Sequence, residues 1–178
     1  MVMSVDALVR RMIETGALKF GDFVLSSGKR SKVYVDVKLA STFPDILEMI
    51  AESMAARLRD LEFNRIACVE LGGVPIAVAL SLKMKKPLVI FRKEKKDYGV
   101  KGDRIGEVRE GEKVVVVEDV ITTGGSALSA ARRVEESGAV VVGIIAVVDR
   151  EESGKEFMSI LKLSDLIKAY DSLQSTES

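Results

Sequence analysis

Histidine is absent from all 178 residues. That removes Ser-His and Cys-His nucleophilic pairs, and imidazole acid–base chemistry with them. Cys68 is the only cysteine, which excludes a disulfide framework and a multi-cysteine zinc site. Carboxamides are nearly missing too, with only Asn64 and Gln174; beside a charged fraction of 30%, this composition leans toward heat-adapted chains. The longest purely apolar run, Ala139–Val148, is too short to span a bilayer, is closed by Asp149 and suits a buried strand. At the N-terminus, MVMSVDALVRRM puts Asp6, Arg10 and Arg11 where a signal peptide needs an apolar stretch, so a cytoplasmic protein without a membrane partner is expected. Lys plus Arg and Asp plus Glu both total 27, which leaves no global field to draw in nucleic acid. Any attraction for phosphate must be local.

The length and the 47% hydrophobic content fit one soluble domain with a single core. Residues 5–15 read as an amphipathic helix with Ser4 as N-cap and Gly16 as the stop. Two β-like runs, Asp22–Leu25 and Val33–Lys38, flank the turn-prone Ser26-Ser27-Gly28. Pro44 opens a helix running to about Leu61. Strand-like Ile66–Leu71, Leu88–Phe91, Lys113–Val117 and Val140–Val148 then alternate with helices at Pro75–Met84 and Ser126–Glu136. Strands that are apolar throughout and alternate with helices indicate an α/β fold with a parallel sheet. Roughly Lys93–Glu107 reads as a long polar loop, and the tail carries one short helix near Leu163–Tyr170.

Chemistry concentrates where the Val114–Val117 strand ends. Glu118 and Asp119 stand there, and Thr122-Thr123-Gly124-Gly125-Ser126 opens the next helix. Glycines let backbone amides turn toward an anion, hydroxyls add donors, and the helix N-terminus contributes partial positive charge. No Lys follows these glycines, so this is not a Walker A loop. Two carboxylates beside a phosphate loop make sense if the ligand is a ribose phosphate: the acids accept from two ring hydroxyls while the loop holds the phosphate.

Val114–Leu128, VVVVEDVITTGGSAL, resembles the phosphoribosyl pyrophosphate signature of the type I phosphoribosyltransferases. The resemblance implies a mainly parallel central sheet flanked by helices, with a small N-terminal hood. On this chain it implies a hood and N-terminal helix over about 1–40, an α/β core over about 45–152 and a C-terminal tail over about 153–178. Glu118 and Asp119 would hold the ribose diol, while Val120, Ile121, Thr122, Thr123, Gly124, Gly125 and Ser126 would wrap the 5′-phosphate. Gly72 and Gly73 would shape a backbone loop touching pyrophosphate.

Three further segments resemble the orotate members of that family. Phe23–Tyr34 is similar to their FxLxSGxxSxxY hood, which would bring Ser27, Gly28 and Tyr34 to the base. Phe91–Gly99 is similar to their RKExKDHG lid, and between Lys83 and Arg104 nine Lys or Arg stand against three acids. A departing pyrophosphate needs cations within reach and water kept out. Lys96 is the first choice for that role, with Arg92, Lys93 and Tyr98 beside it. In the family some lid residues serve the partner subunit, which implies a homodimer. Val147–Glu151 is similar to their strand-end DRxE/Q; Arg150, helped by Thr122, would grip orotate's carboxylate through paired hydrogen bonds.

The chain departs from the family at three donors. Tyr98 stands for a usual His, Ser26 for a frequent Lys, and Gly72 for another Lys before Gly73-Val74-Pro75. Lys29, Arg30 and Lys38 are candidates to compensate.

The reaction implied joins orotate to phosphoribosyl pyrophosphate, giving orotidine 5′-monophosphate and pyrophosphate, with Lys96 and Asp119 as catalytic residues. Orotate's ring nitrogen is already acidic, so the missing histidine is no obstacle. Mg²⁺ is the cofactor implied, carried mainly by the substrate with Glu118 and Asp119 nearby. A transferase for another base, a phosphoribosyl pyrophosphate-sensing regulator and a structural domain with a dead site are the competing readings. The hood and Arg150 argue against the first, and the chain has no room for an added helix-turn-helix before residue 20. An intact acid pair with Lys96 argues against the third.

Overall fold

The computed structural model describes residues 5–25, 28–96 and 102–176. Helix α1 (Val5–Glu14) buries Leu8 and Met12. Strands β1 (Leu18–Val24) and β2 (Arg30–Val35) form a separate antiparallel pair. The chain then makes one turn of helix, α2 (Val37–Ala40), where Asp36 accepts a hydrogen bond from the Leu39 amide at 2.9 Å. Helix α3 (Pro44–Arg57) starts on its proline, whose missing N–H costs nothing in a first turn.

The remaining elements build the main sheet. They are β3 (Arg65–Val69), α4 (Gly73–Met84), β4 (Leu88–Lys96), β5 (Gly102–Ile105), β6 (Lys113–Ile121), α5 (Gly125–Glu135), β7 (Val140–Asp149), β8 (Met158–Lys162) and α6 (Leu163–Thr176). The strand order is β5-β4-β3-β6-β7-β8, parallel throughout except for β5.

Alternation along the strands sorts the core into two faces. Ile66, Cys68, Val115, Val117 and Ile145 pack with the residues of α1, α3 and α4 in one cluster. On the other face Ala67, Val89, Val114 and Val116 meet Ala130, Ala131 and Val134 of α5. Val114–Val117 are all fully buried, which is why this strand reads as a continuous apolar run. Arg65 fastens the start of β3 to the turn before β6 through a paired contact with Glu112 at 2.7 and 2.9 Å.

Several expectations shift. The run expected as a strand over Val33–Lys38 ends as β2 at Val35, and Lys38 lies in α2. Strand β6 does not end before the acids: Glu118 and Asp119 lie inside it, and Val120 and Ile121 still pair with Val148 and Asp149 of β7. The expected 93–107 loop is partly strand, since β4 runs to Lys96 and β5 returns antiparallel beside it. Edge pairing needs only backbone groups, so a charged, half-solvated hairpin shows no apolar period. Met158–Lys162, expected as tail, is the parallel edge strand β8. The helix expected to end near Leu61 stops at Arg57. Among the described residues no helix is long and apolar enough to cross a membrane.

Candidate active site

Strand β6 delivers the acid pair and the cradle as one continuous stretch of backbone. Beyond Ile121 the chain loops through Thr122 and Thr123, both exposed, and enters α5 at Gly124 and Gly125. Gly124 holds φ at +82°, and an added Cβ would meet the Phe157 ring at 3.1 Å. Only glycine makes that turn without strain. The loop encloses a hollow of about 160 Å³ lined by Glu118 and Val120 to Ala127, with the first turn of α5 on one side.

Next to it, sharing Glu118, Val120 and Ser126, opens a chamber of about 420 Å³. Its other walls are Asp119, the Val69-to-Gly73 loop between β3 and α4, Lys38 from α2 and Lys93 from β4. The backbone of Gly72 presses against the acid pair: a Cβ there would sit 1.9 Å from Asp119 Oδ2. No side chain fits at position 72 while Asp119 keeps its place.

The two acids are buried and differently partnered. Ser126 Oγ donates to Glu118 Oε1 at 2.9 Å, and Lys38 Nζ donates to Asp119 Oδ2 at 2.9 Å. Burial pushes the Glu118 carboxyl up to about 7; the Ser126 bond opposes that rise, and the Asp119 charge adds to it. Asp119 in turn raises the Lys38 ammonium above its ordinary value.

Arg150 lies at the end of β7, its amide bonded to Ile121 O at 2.9 Å, so it stands against the mouth of the cradle. Its guanidinium is buried. Nε donates to Glu152 Oε1 at 3.1 Å, and one terminal nitrogen reaches Ser31 Oγ of β2 at 3.4 Å. Lys29 closes on the other Glu152 oxygen at 2.8 Å, so the β1–β2 pair is tied to the core across this arginine.

Of the residues singled out from sequence, Glu118 to Ser126, Gly72, Gly73 and Lys93 line these two connected spaces. Arg150 adjoins them through its bond to Ile121. Arg92 precedes Lys93 with the opposite pleat and is not part of the chamber wall. Tyr34 packs on Phe23 with ring centroids 5.7 Å apart, and Gly28 sits at the tip of the β1–β2 pair; neither lines the chamber. Ser27 and Tyr98 lie outside the described residues, as does the side chain of Lys96, whose backbone closes β4 against Gly102.

Sequence reasoning missed the Ser126–Glu118 bond, the Ser31 and Glu152 contacts of Arg150, and the anchor of the β4–β5 hairpin. That anchor is Arg133 of α5, which donates to Arg92 O at 2.8 Å and to Asp103 O at 2.6 Å, and lies over the Phe91 ring at 4.5 Å. The Ser31 and Arg133 contacts join distant segments, and the two local ones, Ser126–Glu118 and Arg150–Glu152, depend on how each loop turns, so the spacing of these residues marks none of them.

Comparison with known proteins adds an independent line. Residues 42–169 match the model of the phosphoribosyl transferase domain. The chain is 87% identical to an orotate phosphoribosyltransferase of Archaeoglobus fulgidus over 178 residues, all of both chains. Among solved structures it is similar to the orotate phosphoribosyltransferase of Aeropyrum pernix, with TM-score 0.79 and 30% identity over 92% of this chain and 98% of that one. A Mycobacterium tuberculosis orotate phosphoribosyltransferase in complex with 5-phospho-alpha-D-ribosyl 1-diphosphate aligns with TM-score 0.61 and 31% identity, over 74% of this chain and 82% of that one.

Proposed function

This chain belongs to the phosphoribosyl transferase family, in its orotate phosphoribosyltransferase branch, and from that premise we infer how its site works. It transfers the 5-phosphoribosyl group of phosphoribosyl pyrophosphate to orotate, giving orotidine 5′-monophosphate and pyrophosphate. The observation that carries this is the buried Glu118–Asp119 pair set between the hollow of the β6–α5 loop and an arginine held at the same end of the sheet. One side accepts a phosphate, the middle a diol, and the far side a planar carboxylate.

In this reading Thr122, Thr123 and the amides from Val120 to Ser126 fix the 5′-phosphate, and Glu118 and Asp119 take the ribose hydroxyls. The acids also lie near the positive charge that grows on the ribose as the diphosphate leaves. Arg150 orients orotate. Its ring nitrogen is already acidic, so no protein base is needed in a chain without histidine. Lys96, Lys93, Arg92 and Tyr98 form the lid that screens the leaving diphosphate, with Lys96 foremost.

Among the described residues no group of three or more acids, His or Cys converges into a metal cage. Two carboxylates facing a diphosphate chamber instead suit a hydrated Mg²⁺ that arrives on the substrate, with Glu118 and Asp119 beside it. When bound, Mg²⁺ offsets charge on the leaving group. A homodimer is supported by Val78 and Leu82, one turn apart on α4 and 40% and 65% exposed, since exposed apolar side chains on one helix face favour burial against a second copy.

Pyrophosphate release from phosphoribosyl pyrophosphate and magnesium, measured over a panel of bases, tests the assignment. Release is expected with orotate and not with adenine or xanthine; turnover of a purine alone overturns it. A second test reads the acid pair. The Glu118 carboxyl titrates at about 7, and hydroxyl donors favour its ionised form. Affinity for ribose 5-phosphate should therefore climb as pH rises through about 7 more steeply than in Glu118→Gln, a difference titration calorimetry resolves. Parallel pH profiles for the two proteins would remove Glu118 from the ribose site.

A further inference from the structure

The chamber assigned above to the diphosphate is short of fixed positive charge. Among its described wall residues Glu70, Glu118 and Asp119 are acidic, and only Lys38 and Lys93 are basic. A substrate with this much negative charge gains from any cation that reaches it, and the loop behind the acids cannot supply one. Position 72 is glycine, and a Cβ there would collide with Asp119. A cation must enter from another element.

Lys38 does so. It stands on α2, a turn of 4 residues fixed by the Asp36 cap, and its ammonium crosses 81 sequence positions to Asp119 Oδ2. The partners differ in freedom. The Lys38 side chain is 64% exposed, whereas the Asp119 side chain is 12% exposed and set in a buried strand. An exposed ammonium can rotate away at little cost, while the carboxylate stays.

That difference makes the contact competitive with substrate. The Asp119 oxygen that accepts from Lys38 is Oδ2, the one Gly72 crowds, so a ribose hydroxyl that claims it displaces the ammonium into the diphosphate chamber. We propose that Lys38 changes partner when substrate binds, yielding Asp119 to the ribose diol and carrying its charge onto the diphosphate. The inference rests on the placement of the ribose and the diphosphate given above. It accounts for a glycine at position 72 in a site that must still hold pyrophosphate: the cation comes from α2 and neutralises the acid pair until it is needed.

A plain tie between α2 and β6 is the competing role, and opposite signs separate the two. In Lys38→Met the stem remains and the charge goes. Pyrophosphate with magnesium should then bind about tenfold more weakly or worse, the loss expected for one charge-assisted hydrogen bond. Ribose 5-phosphate, which has no diphosphate, should bind equally well or more tightly, because Asp119 no longer has a competitor. Lys38→Arg should recover most of the pyrophosphate affinity. The proposal is overturned if Lys38→Met weakens both ligands alike, or leaves pyrophosphate binding unchanged. Both titrations avoid the base, so a wild-type protein that fails to turn over orotate defeats the orotate assignment and leaves this result to stand or fall alone.

Discussion

Asp119→Asn will keep its fold and lose about 100-fold or more in kcat/KM for phosphoribosyl pyrophosphate. The amide matches the carboxylate in size, and the tight approach of Gly72 to Asp119 demands only that size. Chemistry is what changes. One acceptor oxygen becomes an NH2 donor, which faces the Lys38 ammonium and the ribose hydroxyls with the wrong polarity. A hydrogen bond to a charged group contributes about 1.5–3 kcal/mol, and its loss in a buried site falls at the upper end. At about 1.4 kcal/mol per factor of ten, that gives the stated loss. The negative charge also lies near the cationic ribose of the transition state, so kcat should fall together with kcat/KM. Steady-state kinetics beside a thermal melt check both halves. A folded variant with unchanged kinetics would remove Asp119 from the reaction.

Arg150→Ala should raise the KM for orotate by about 10- to 100-fold and leave the affinity for phosphoribosyl pyrophosphate nearly unchanged. The guanidinium is buried, anchored by its own backbone to Ile121 and oriented by Glu152 and Ser31 before any substrate enters. Much of the cost of ordering a long side chain is met in the folded state, which is what makes the paired contact with a carboxylate strong. Arg150→Lys should recover little, because a single ammonium cannot reproduce the planar fork. Glu152 keeps Lys29 as a partner when the guanidinium is lost, so the tie to the β1–β2 pair persists in part. Equal losses for both substrates would instead mean that Arg150 supports the site as a whole.

What could be read in advance divides along the range of the interactions. Val114 to Ser126 is one contiguous strand, acid pair, loop and helix start, and each part has a local signature: β-branched run, paired acids, Thr and Gly, helix entry. The parallel α/β sheet is legible for the same reason, since strands covered on both faces are apolar at every position. The β4–β5 hairpin and β8 escaped because edge strands are stabilised by backbone pairing, which leaves no period in the side chains.

The meetings of distant side chains were illegible altogether. Lys38 was one of three compensating candidates on sequence grounds, and only the fold distinguished them, bringing Lys38 to Asp119 and Lys29 to Glu152. The chemistry open to the β6–α5 segment is written in its residues alone, because neighbours on one strand and one turn settle it. Which cation faces which acid, and how closely Gly72 approaches Asp119, follow from the packing of distant elements. Those outcomes depend on where α2, the β3–α4 loop and the end of β7 converge, and sequence spacing does not encode such distances.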